Sequence, residues 1–430
     1  MVNSGPTRPP LAAALEAVFR EALASLPAAG LVARALELAP PPSGPTRLLA
    51  LGKAAGPMMD VALAVLGPRV RDPLCILPEG LPPPGGVRAF HGSHPRPGVG
   101  SLAAGEALAR WAAAGEGLPA LVLLSGGASA LAVAAAEGIP PQDKVDAIAA
   151  LMRAGLSIGD LNAVRKHLSR VKGGRLAAAL SPGATRVLVL SDVPGDDLST
   201  IASGPLAGDP TTWGDVARII GVSGVERTLP GPVRTAVEQG LAGRRDETPK
   251  PGDPRLDCAS HEILAGPAEL ARMAAEAARA RGVQAEHDPV PLTGGVEELA
   301  QRISLWVWEN VGRGRRLLAL GGEPTLVVPA TATMADGGRA QHLALLVARN
   351  IAGLPAAFLA AGSDGRDGPT RQAGAVVTGE TAAFARWNDV DLDAALAAFR
   401  SGPASVAIGA AIPSFDTGTH VGDLVLVEVG

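Results

Sequence analysis

Residues 187–198 read Val-Leu-Val-Leu-Ser-Asp-Val-Pro-Gly-Asp-Asp-Leu, and they are the most informative part of the sequence. The apolar first half of this stretch ends at Ser191, and three carboxylates follow at Asp192, Asp196 and Asp197. The pattern predicts a buried parallel strand that delivers carboxylates to its C-terminal end. Ligands of open α/β sheets bind beyond such strand ends, and carboxylates held close together repel one another unless a cation or a proton is present. The stretch therefore predicts a phosphate-handling enzyme that uses a divalent metal.

The same alternation of a buried strand with a helix recurs elsewhere in the first half of the chain. Arg47–Leu51 predicts a strand, and Gly52-Lys53-Ala54 and a helix over Met58–Leu66 follow it. Ala120–Leu124 and Arg186–Leu190 predict two further strands, while residues 11–38 have the spacing of helices. This order is typical of a doubly wound, Rossmann-like parallel sheet.

A second α/β domain is predicted after the polar, proline-rich segment 244–254, which is the candidate boundary. Its predicted helices are Pro267–Ala280 and Val296–Val311, and its predicted strands are His261–Leu264, Arg316–Leu320, Thr325–Val328, Ala356–Ala361 and Asp423–Val429. We therefore expect an N-terminal domain over residues 1–245 and a smaller C-terminal domain over residues 256–430.

Composition excludes several classes of protein. The 430 residues carry a formal charge of only −4 and contain 3% aromatic residues with no Tyr, which argues against a nucleic-acid surface. Cys75 and Cys258 lie in no metal-binding or disulfide pattern, which suits a reducing compartment. The first residues lack a signal-peptide pattern, and no apolar run is long enough to span a membrane. We expect a cytoplasmic protein that binds neither nucleic acid nor membranes.

Two turns between a strand and a helix are candidate anion sites. Ser125-Gly126-Gly127-Ala128-Ser129 would direct backbone N–H groups and two hydroxyls at a nucleotide phosphate, although an ordinary tight turn has the same sequence pattern. Lys53 stands at another such turn, where its charge suits a phosphate or a carboxylate; a solvated surface lysine is the alternative.

Three other groups of polar residues are further candidates. Asn162, Arg165 and Lys166 share one helix face, which either binds an anionic substrate or is solvated. Arg339 would enter the first turn of a helix, where a cation opposes the helix dipole. Asp364 and Asp367 follow a strand, as the first carboxylates do, although Asp-Gly pairs also form simple turns.

Taken together, these segments resemble the class II glycerate 2-kinases, which have also been labelled hydroxypyruvate reductases. The motifs that carry the resemblance span nearly the whole chain: Gly52-Lys-Ala54, Ser93-His-Pro-Arg-Pro97, Ser125-Gly-Gly-Ala-Ser-Ala-Leu131, Asn162-Ala-Val-Arg-Lys-His-Leu-Ser169, Lys172-Gly-Gly-Arg-Leu-Ala177, Ser191-Asp-Val-Pro-Gly-Asp-Asp-Leu198, Ile201-Ala-Ser-Gly-Pro205, Gly321-Gly-Glu323, Gly337-Gly-Arg339 and Gly362-Ser-Asp-Gly-Arg-Asp-Gly-Pro-Thr370.

The resemblance implies a large Rossmann-like domain, a smaller C-terminal domain of the MOFRL type and an active site in the cleft between them. The implied reaction is transfer of a phosphoryl group from ATP-Mg²⁺ to the 2-hydroxyl of D-glycerate, which gives 2-phosphoglycerate. The resemblance also assigns Lys53 and Arg339 to the catalytic residues.

The remaining site residues are expected to serve this reaction in three ways. Asp192 is the third catalytic candidate, and it either binds metal or orients the attacking hydroxyl. The expected sets are Asp192, Asp196, Asp197 and Glu323 for the metal; Ser125, Gly126, Gly127, Ser129, Asp364 and Asp367 for the nucleotide; and Asn162, Arg165 and Lys166 for the hydroxy acid.

The chain departs from the usual family pattern mildly at Ala128 and more clearly at six positions, namely Gly98, Ala340, His342, Arg371, Gln372 and His420. Because most of these flank the candidate motifs, a kinase for another sugar acid and a degenerate binding or sensor protein both remain alternatives. An NAD(P)H-dependent hydroxypyruvate reductase is a weaker alternative, since the sequence lacks the dinucleotide fingerprint. A homodimer is also left open.

Overall fold

The computed structural model describes residues 9–115, 117–329, 332 and 336–430. The chain divides into two compact units. Unit 1 contains the described residues of Met1–Pro27, Asp192–Gly195 and Ala265–Gly430, and unit 2 contains those of Ala28–Ser191 and Asp196–Leu264. The first helix of the chain, α1 (Pro10–Ala24), belongs to unit 1. The domain ranges 1–245 and 256–430 stay a prediction.

Unit 2 is built on a six-stranded sheet with the order β3-β2-β1-β4-β5-β6. Its strands are β1 (Thr46–Leu51), β2 (Val70–Pro78), β3 (Arg88–Gly92), β4 (Ala120–Ser125), β5 (Thr185–Leu190) and β6 (Ala259–Ala265). The pairings of β1 with β2 and β4, of β2 with β3, and of β4 with β5 are parallel. Every residue of β1 and β4 is buried, as expected for strands covered on both faces. The predicted parallel α/β sheet is confirmed.

Helices connect the strands of unit 2, and four of them pack together around a buried apolar cluster. The helices are α2 (Ala28–Leu38), α3 (Ala55–Leu66), α4 (Val99–Ala113), α5 (Ala128–Leu131), α6 (Pro141–Arg153), α7 (Ile158–His167), α8 (Arg175–Leu180), α9 (Trp213–Ser223) and α10 (Gly231–Leu241). Leu151, Val164, Trp213 and Val233 are among the buried residues that pack α6, α7, α9 and α10 together. This packing fixes the helix that carries Asn162 and Arg165.

Unit 1 contains a six-stranded sheet with the order β11-β10-β9-β12-β8-β7. Its strands are β7 (Gln284–His287), β8 (Arg316–Gly322), β9 (Ala356–Gly362), β10 (Gln372–Thr378), β11 (Ala411–Pro413) and β12 (Asp423–Val429). Only the pairing of β7 with β8 is parallel among the pairs formed by these strands. Its other helices are α11 (Pro267–Ala280), α12 (Val296–Asn310), α13 (Arg339–Asn350), α14 (Thr381–Trp387), α15 (Leu392–Ala397) and α16 (Ser401–Ala407).

One predicted strand, Thr325–Val328, is wrong. Thr325 forms only an isolated bridge with Gly295, and Val327 is 74% exposed. Pro324 and Pro329 flank the stretch and have no N–H to donate, so it cannot continue a ladder of hydrogen bonds at either end.

The proline-rich segment 244–254 lies inside unit 2 and is anchored there. His167 Nε2 lies 3.0 Å from a carboxylate oxygen of Glu247, and the Thr248 hydroxyl donates a hydrogen bond to Asp209 at 2.9 Å. Because its polar side chains pair with α7 and with the loop before α9, this segment is part of a folded unit.

Candidate active site

The turns after β1 and β4 lie side by side because these strands are neighbours and run parallel. The Lys53 N–H donates to the Gly126 carbonyl at 3.0 Å, and the Ala54 N–H donates to Ser125 Oγ at 3.0 Å. A Cβ at Gly52, where φ is 132°, would lie 2.2 Å from Ser125 Oγ, so only glycine allows the two turns to approach. Ser125, expected at the nucleotide, is buried and links the turns.

The Lys53 side chain extends along the glycine turn. A Cβ at Gly127 would lie 3.0 Å from Lys53 Cγ and 3.3 Å from Lys53 Cε. Gly127 also has a φ of 81°, which a side chain would strain. The structure thus brings together two features that the sequence singled out separately, a lysine and a glycine pair at the carboxyl end of a parallel sheet.

A chain of hydrogen bonds connects the glycine turn with α7. Ser129 Oγ lies 2.7 Å from Ser203 Oγ, Ser203 Oγ donates to Asn162 Oδ1 at 3.0 Å, and Arg165 Nη1 donates to the same oxygen at 3.2 Å. Since the Asn162 oxygen can only accept, the Ser203 proton points to it and Ser129 must donate to Ser203. Ser129, Asn162 and Arg165, predicted from different motifs, therefore form one polar network.

The loop that carries Ser203 has an unusual backbone. Ala202, Ser203 and Gly204 have φ values of 55°, 62° and 58° in succession. Left-handed conformations in non-glycine residues cost free energy and are found at functional sites. The Gly173 and Gly174 N–H groups donate to the carbonyls of Ser203 and Gly204 and hold this loop. The sequence candidates omitted Ser203, although the Ser-Gly-Pro run after the aspartates pointed to it.

Lys166 lies on the same helix but has another environment. Its ammonium group forms a buried ion pair with Asp209 at 3.3 Å, and Asp209 also accepts from Thr248 and Thr211. His167 Nδ1 lies 3.6 Å from the same carboxylate. The geometry gives Lys166 a structural partner inside unit 2, whereas Arg165 forms no ion pair among the described residues.

In unit 1, the carboxyl ends of β8 and β9 meet the beginning of β12. This follows from the register, because β12 lies between them, antiparallel to both, and Asp423 pairs with Gly322 and Gly362. The Arg339 guanidinium binds Asp423 with two hydrogen bonds of 2.6 and 3.1 Å, and Glu323 with one of 2.7 Å. These two carboxylates hold the pKa of Arg339 well above its usual value, against the effect of burial. Within the part of the chain that the structure describes, these hydrogen bonds use three of its five N–H groups and leave two for a ligand.

Asp367, expected at the nucleotide, caps the helix that carries Arg339. Its carboxylate accepts from the N–H groups of Ala340 at 3.1 Å and Gln341 at 2.8 Å, and from the Gln341 side chain. A Cβ at Gly338 would lie 2.0 Å from Asp367 Cγ, so glycine makes room for this cap. Burial raises the pKa of Asp367 to about 6, although its N–H donors oppose the shift.

His420 connects two predicted carboxylates. Its Nε2 lies 3.1 Å from Asp192 Oδ2, and its Nδ1 lies 3.9 Å from Asp364 Oδ2. All three residues belong to unit 1. Asp192 is therefore positioned by an imidazole at a place where the sequence departs from the usual family pattern.

The carboxylates expected to bind metal are mostly engaged by the protein. Both oxygens of Asp197 accept from Ser199, and one also accepts from Thr200, while Glu323 accepts from Arg339. Asp196 differs, since its Oδ1 is buried with no hydrogen-bond partner in the described part of the chain. Within residues 9–115, 117–329, 332 and 336–430, no three His, Cys, Asp or Glu side chains are grouped to hold a metal ion.

The other departures are distributed between the core and the loops. Ala340 is buried, and His342 is buried against Phe399 with their rings stacked at 5.5 Å. Gly98 begins α4, where a Cβ would lie 2.5 Å from Ser93 Oγ. Arg371 and Gln372 lie at the start of β10, and the Arg371 carbonyl accepts from Ser414. Two of the six differences are thus packing changes inside unit 1.

No described helix is long and apolar enough to cross a membrane. Residues 14–238 match the family described as a domain of unknown function, DUF4147, and residues 316–423 match the MOFRL family.

Named relatives match most of the chain. It is 34% identical over 394 residues to a glycerate 2-kinase of Pyrococcus horikoshii, covering 90% of this chain and 88% of that one. It is 31% identical over 416 residues to a human glycerate kinase, covering 81% and 77%. The crystal structure of a Thermotoga maritima glycerate kinase superposes with a TM-score of 0.82 at 29% identity, covering 98% of this chain and 99% of that one. From these matches, the chain belongs to the MOFRL-type glycerate kinase family.

Proposed function

We propose that this protein transfers the γ-phosphoryl group of Mg·ATP to the 2-hydroxyl of D-glycerate and releases 2-phosphoglycerate and ADP. The observation that carries the proposal is the Lys53 side chain extended along Gly127, at the joined carboxyl ends of β1 and β4. A cation beside a glycine turn at this edge of a parallel sheet suits a phosphate group. The relatives named as glycerate kinases support the choice of acceptor.

Phosphoryl transfer needs positioning and neutralisation of charge more than covalent chemistry by the protein. We assign to Lys53 the neutralisation of negative charge on the phosphate groups. Gly126 and Gly127 would allow the phosphates to approach the backbone closely, because neither residue has a side chain. Ser129 and the α7 residues Asn162 and Arg165 would bind the ligands through the network that contains Ser203.

Asp192 is assigned to the acceptor hydroxyl, which it would orient and from which it would take a proton. The contact with His420 supports this role, because it fixes one carboxylate oxygen and so limits the rotation of the side chain. Arg339 would contribute its two remaining N–H groups to an anionic group of the substrate or of the transition state. Asp423 and Glu323 fix its orientation.

Magnesium enters this proposal with its substrate, as Mg·ATP. The fit to the residues supports that form, since Asp197 and Glu323 already have protein partners. Of these candidate carboxylates, Asp196 has a buried oxygen, Oδ1, without a hydrogen-bond partner among the described residues. A cytoplasmic location is part of the proposal and is supported by two free cysteines, Cys75 and Cys258. Assembly as a homodimer is also proposed.

The experiment measures ADP release from Mg·ATP by the purified protein with D-glycerate, L-glycerate, tartronate and hydroxypyruvate. Coupling to enolase identifies 2-phosphoglycerate, and NADH oxidation with hydroxypyruvate is followed in parallel. We expect ADP release with D-glycerate and a product that enolase accepts. Release only with another acid would overturn the choice of acceptor, and NADH oxidation without ADP release would overturn the kinase.

A further inference from the structure

The lysines of this chain are few and mostly buried. Among 38 basic residues only five are lysine, at positions 53, 144, 166, 172 and 250. Lys144, Lys166 and Lys172 are only 3%, 4% and 4% exposed. A buried lysine is uncommon unless a partner offsets its charge. Lys166 has such a partner in Asp209, so the other two lysines require an explanation.

Among the described residues, the hydrogen-bond partners of Lys144 and Lys172 are carbonyl oxygens only. Lys172 Nζ donates to the Ala202 carbonyl at 3.2 Å, and Lys144 Nζ donates to the Ala134 carbonyl at 3.4 Å. An ammonium group has three N–H donors, so each of these contacts leaves two unused. In the described part of the chain, Arg165 donates hydrogen bonds only to the Asn162 oxygen and the Met152 sulfur. Among the described residues, none of these three cations forms an ion pair with a carboxylate.

Neighbouring positive charges repel the charged forms of Lys144 and Lys172. Burial, followed by repulsion from Arg165, lowers the pKa of Lys172 to about 7. Burial also lowers the pKa of Lys144 well below its usual value, and the largest repulsion comes from Lys172. The other charged groups near these lysines are Arg170, which pairs with Glu106, and Arg175, which interacts with Asp209, Asp246 and Glu247. The nearby carboxylates are therefore associated with other cations.

Lys172 and Arg165 lie next to or within the polar network of Ser129, Ser203 and Asn162. Lys172 binds the carbonyl of Ala202, the first residue of the left-handed run, and the next residue, Ser203, is bonded to Ser129 and Asn162. Gly173, the neighbour of Lys172, holds the same loop through the Ser203 carbonyl. Through Ser203, the strained loop orients the Asn162 side chain beside Arg165, and the NH₂ group of Asn162 can donate to an oxyanion bound by these cations.

We propose that Lys172, Lys144 and Arg165, together with the Asn162 side-chain amide, form a binding site for a small oxyanion. The occupant is either the carboxylate of the hydroxy acid or a phosphate group of the nucleotide, an assignment that rests on the proposed function. The bound anion supplies the countercharge that the protein lacks there. It also stabilises the ammonium form of Lys172, so that binding above neutral pH takes up a proton.

The test is isothermal titration calorimetry of the full-length protein with D-glycerate alone and with inorganic phosphate alone. Titrations at about pH 8, above the pKa of Lys172, in buffers of different ionisation enthalpy report proton uptake. We expect one of the two probes to bind with proton uptake. Binding of D-glycerate identifies the carboxylate as the occupant, and binding of phosphate identifies the nucleotide. Failure of both probes to bind overturns the proposal.

Two variants assign the effect to Lys172. Lys172→Met should weaken binding by about tenfold or more, since a charged hydrogen bond is lost. Lys172→Arg should retain binding with less proton uptake than the wild type, because a guanidinium stays charged and Lys144 is then the one lysine of the site that can gain a proton. Lys250→Met is the matched control, since Lys250 bonds to Glu247 and Thr211, and it should bind like the wild type. Undiminished binding by Lys172→Met, or unchanged uptake by Lys172→Arg, overturns the proposal.

These readouts separate the oxyanion site from the kinase activity. Binding with proton uptake supports the site even when ADP release fails with every acceptor. Conversely, normal ADP release by Lys172→Met together with wild-type binding overturns the site and leaves the kinase intact. Should Lys172→Met fail to fold, as judged by thermal unfolding, the Lys172→Arg comparison decides the question alone.

Discussion

Lys53 derives its importance from the residues around it. Gly52 allows the turns after β1 and β4 to approach closely, and Gly127 leaves room for the Lys53 side chain. Ser125 Oγ links the two turns by accepting a hydrogen bond from the Ala54 N–H. We predict that Lys53→Ala lowers kcat by roughly 10²–10³-fold, because a charge aimed at the transferred group is lost. Steady-state ADP release measures this. Lys250→Ala should retain wild-type turnover, and a Lys53→Ala enzyme with normal kcat would remove Lys53 from the mechanism.

His420 offers a second test, since it contacts Asp192, the residue that we propose to orient the acceptor hydroxyl. His420→Ala should lower kcat by about tenfold to a hundredfold with little change in KM for ATP, because Asp192 loses the contact that orients it. His420→Asn, which keeps an N–H donor, should recover most of the loss. The idea fails if both variants behave alike or if KM for ATP changes instead of kcat.

The buried Lys172 predicts how stability depends on pH. Its pKa is about 7 in the folded protein and about 10.4 when unfolded, so between these values the unfolded chain binds more protons. The stability contributed by Lys172 therefore increases as pH rises through this window, by up to about 1.4 kcal/mol per unit. Urea unfolding from pH 7 to 10 should show a smaller slope for Lys172→Met than for the wild type. Equal slopes would mean that Lys172 titrates normally.

At the scale of elements, the cap of α13 determines where Arg339 lies. Gly338 has no side chain, and Asp367 from the loop between β9 and β10 accepts from the first turn instead. Asp367→Ala should lower the free energy of unfolding by about 1–2 kcal/mol and also reduce kcat, because the first turn carries Arg339. Urea unfolding and ADP release measure the two effects.

The substitution Gly338→Ala tests the same cap by placing a side chain against Asp367. Its Cβ would overlap the Asp367 carboxylate, so we expect a similar double loss, while Asp367→Asn, which keeps an acceptor, should lose less. A loss of stability without any loss of kcat would show that the cap does not position Arg339.

The sequence predicted the elements far better than the contacts between side chains. The apolar runs that became β1, β4, β5, β9 and β12 were evident because buried strands need continuous hydrophobic residues. Thr325–Val328 has the same composition but lies between two prolines, and it failed as a strand. Lys166 shared a helix face with Asn162 in the sequence, yet Asp209 engages it, because a distant loop supplies that carboxylate. Helical spacing alone cannot reveal such a partner.

The candidate site was predictable to a similar extent. Motifs at strand ends located Lys53, the glycine turn and the carboxylates, since a parallel sheet brings its carboxyl ends to one edge. The roles of Ser203 and Lys172 depend on a left-handed loop and on partners distant in the sequence. Backbone strain and missing ion pairs are properties of the folded chain, so they cannot be read directly from the order of the residues.

At the scale of the whole molecule, the chain contains two units with separate hydrophobic cores, so it need not unfold in one step. The residues proposed for the nucleotide phosphates, Lys53 and the glycine turn, belong to unit 2. A ligand that binds only the folded form stabilises it by about 2.7 kcal/mol at a concentration 100 times its Kd. Saturating Mg·ADP should therefore raise the temperature of the transition in which unit 2 unfolds.

Differential scanning calorimetry at increasing Mg·ADP measures this shift. The fluorescence of a variant that keeps only Trp111 and Trp213 identifies the unit, since Trp306, Trp308 and Trp387 lie in unit 1. Lys53→Ala should shift less at every concentration, because the cation that faces the phosphates is absent, while Lys250→Ala should follow the wild type. An equal shift in Lys53→Ala would mean that the nucleotide binds without Lys53. The phosphate-binding role would then pass to other residues, whatever the effect of the substitution on kcat.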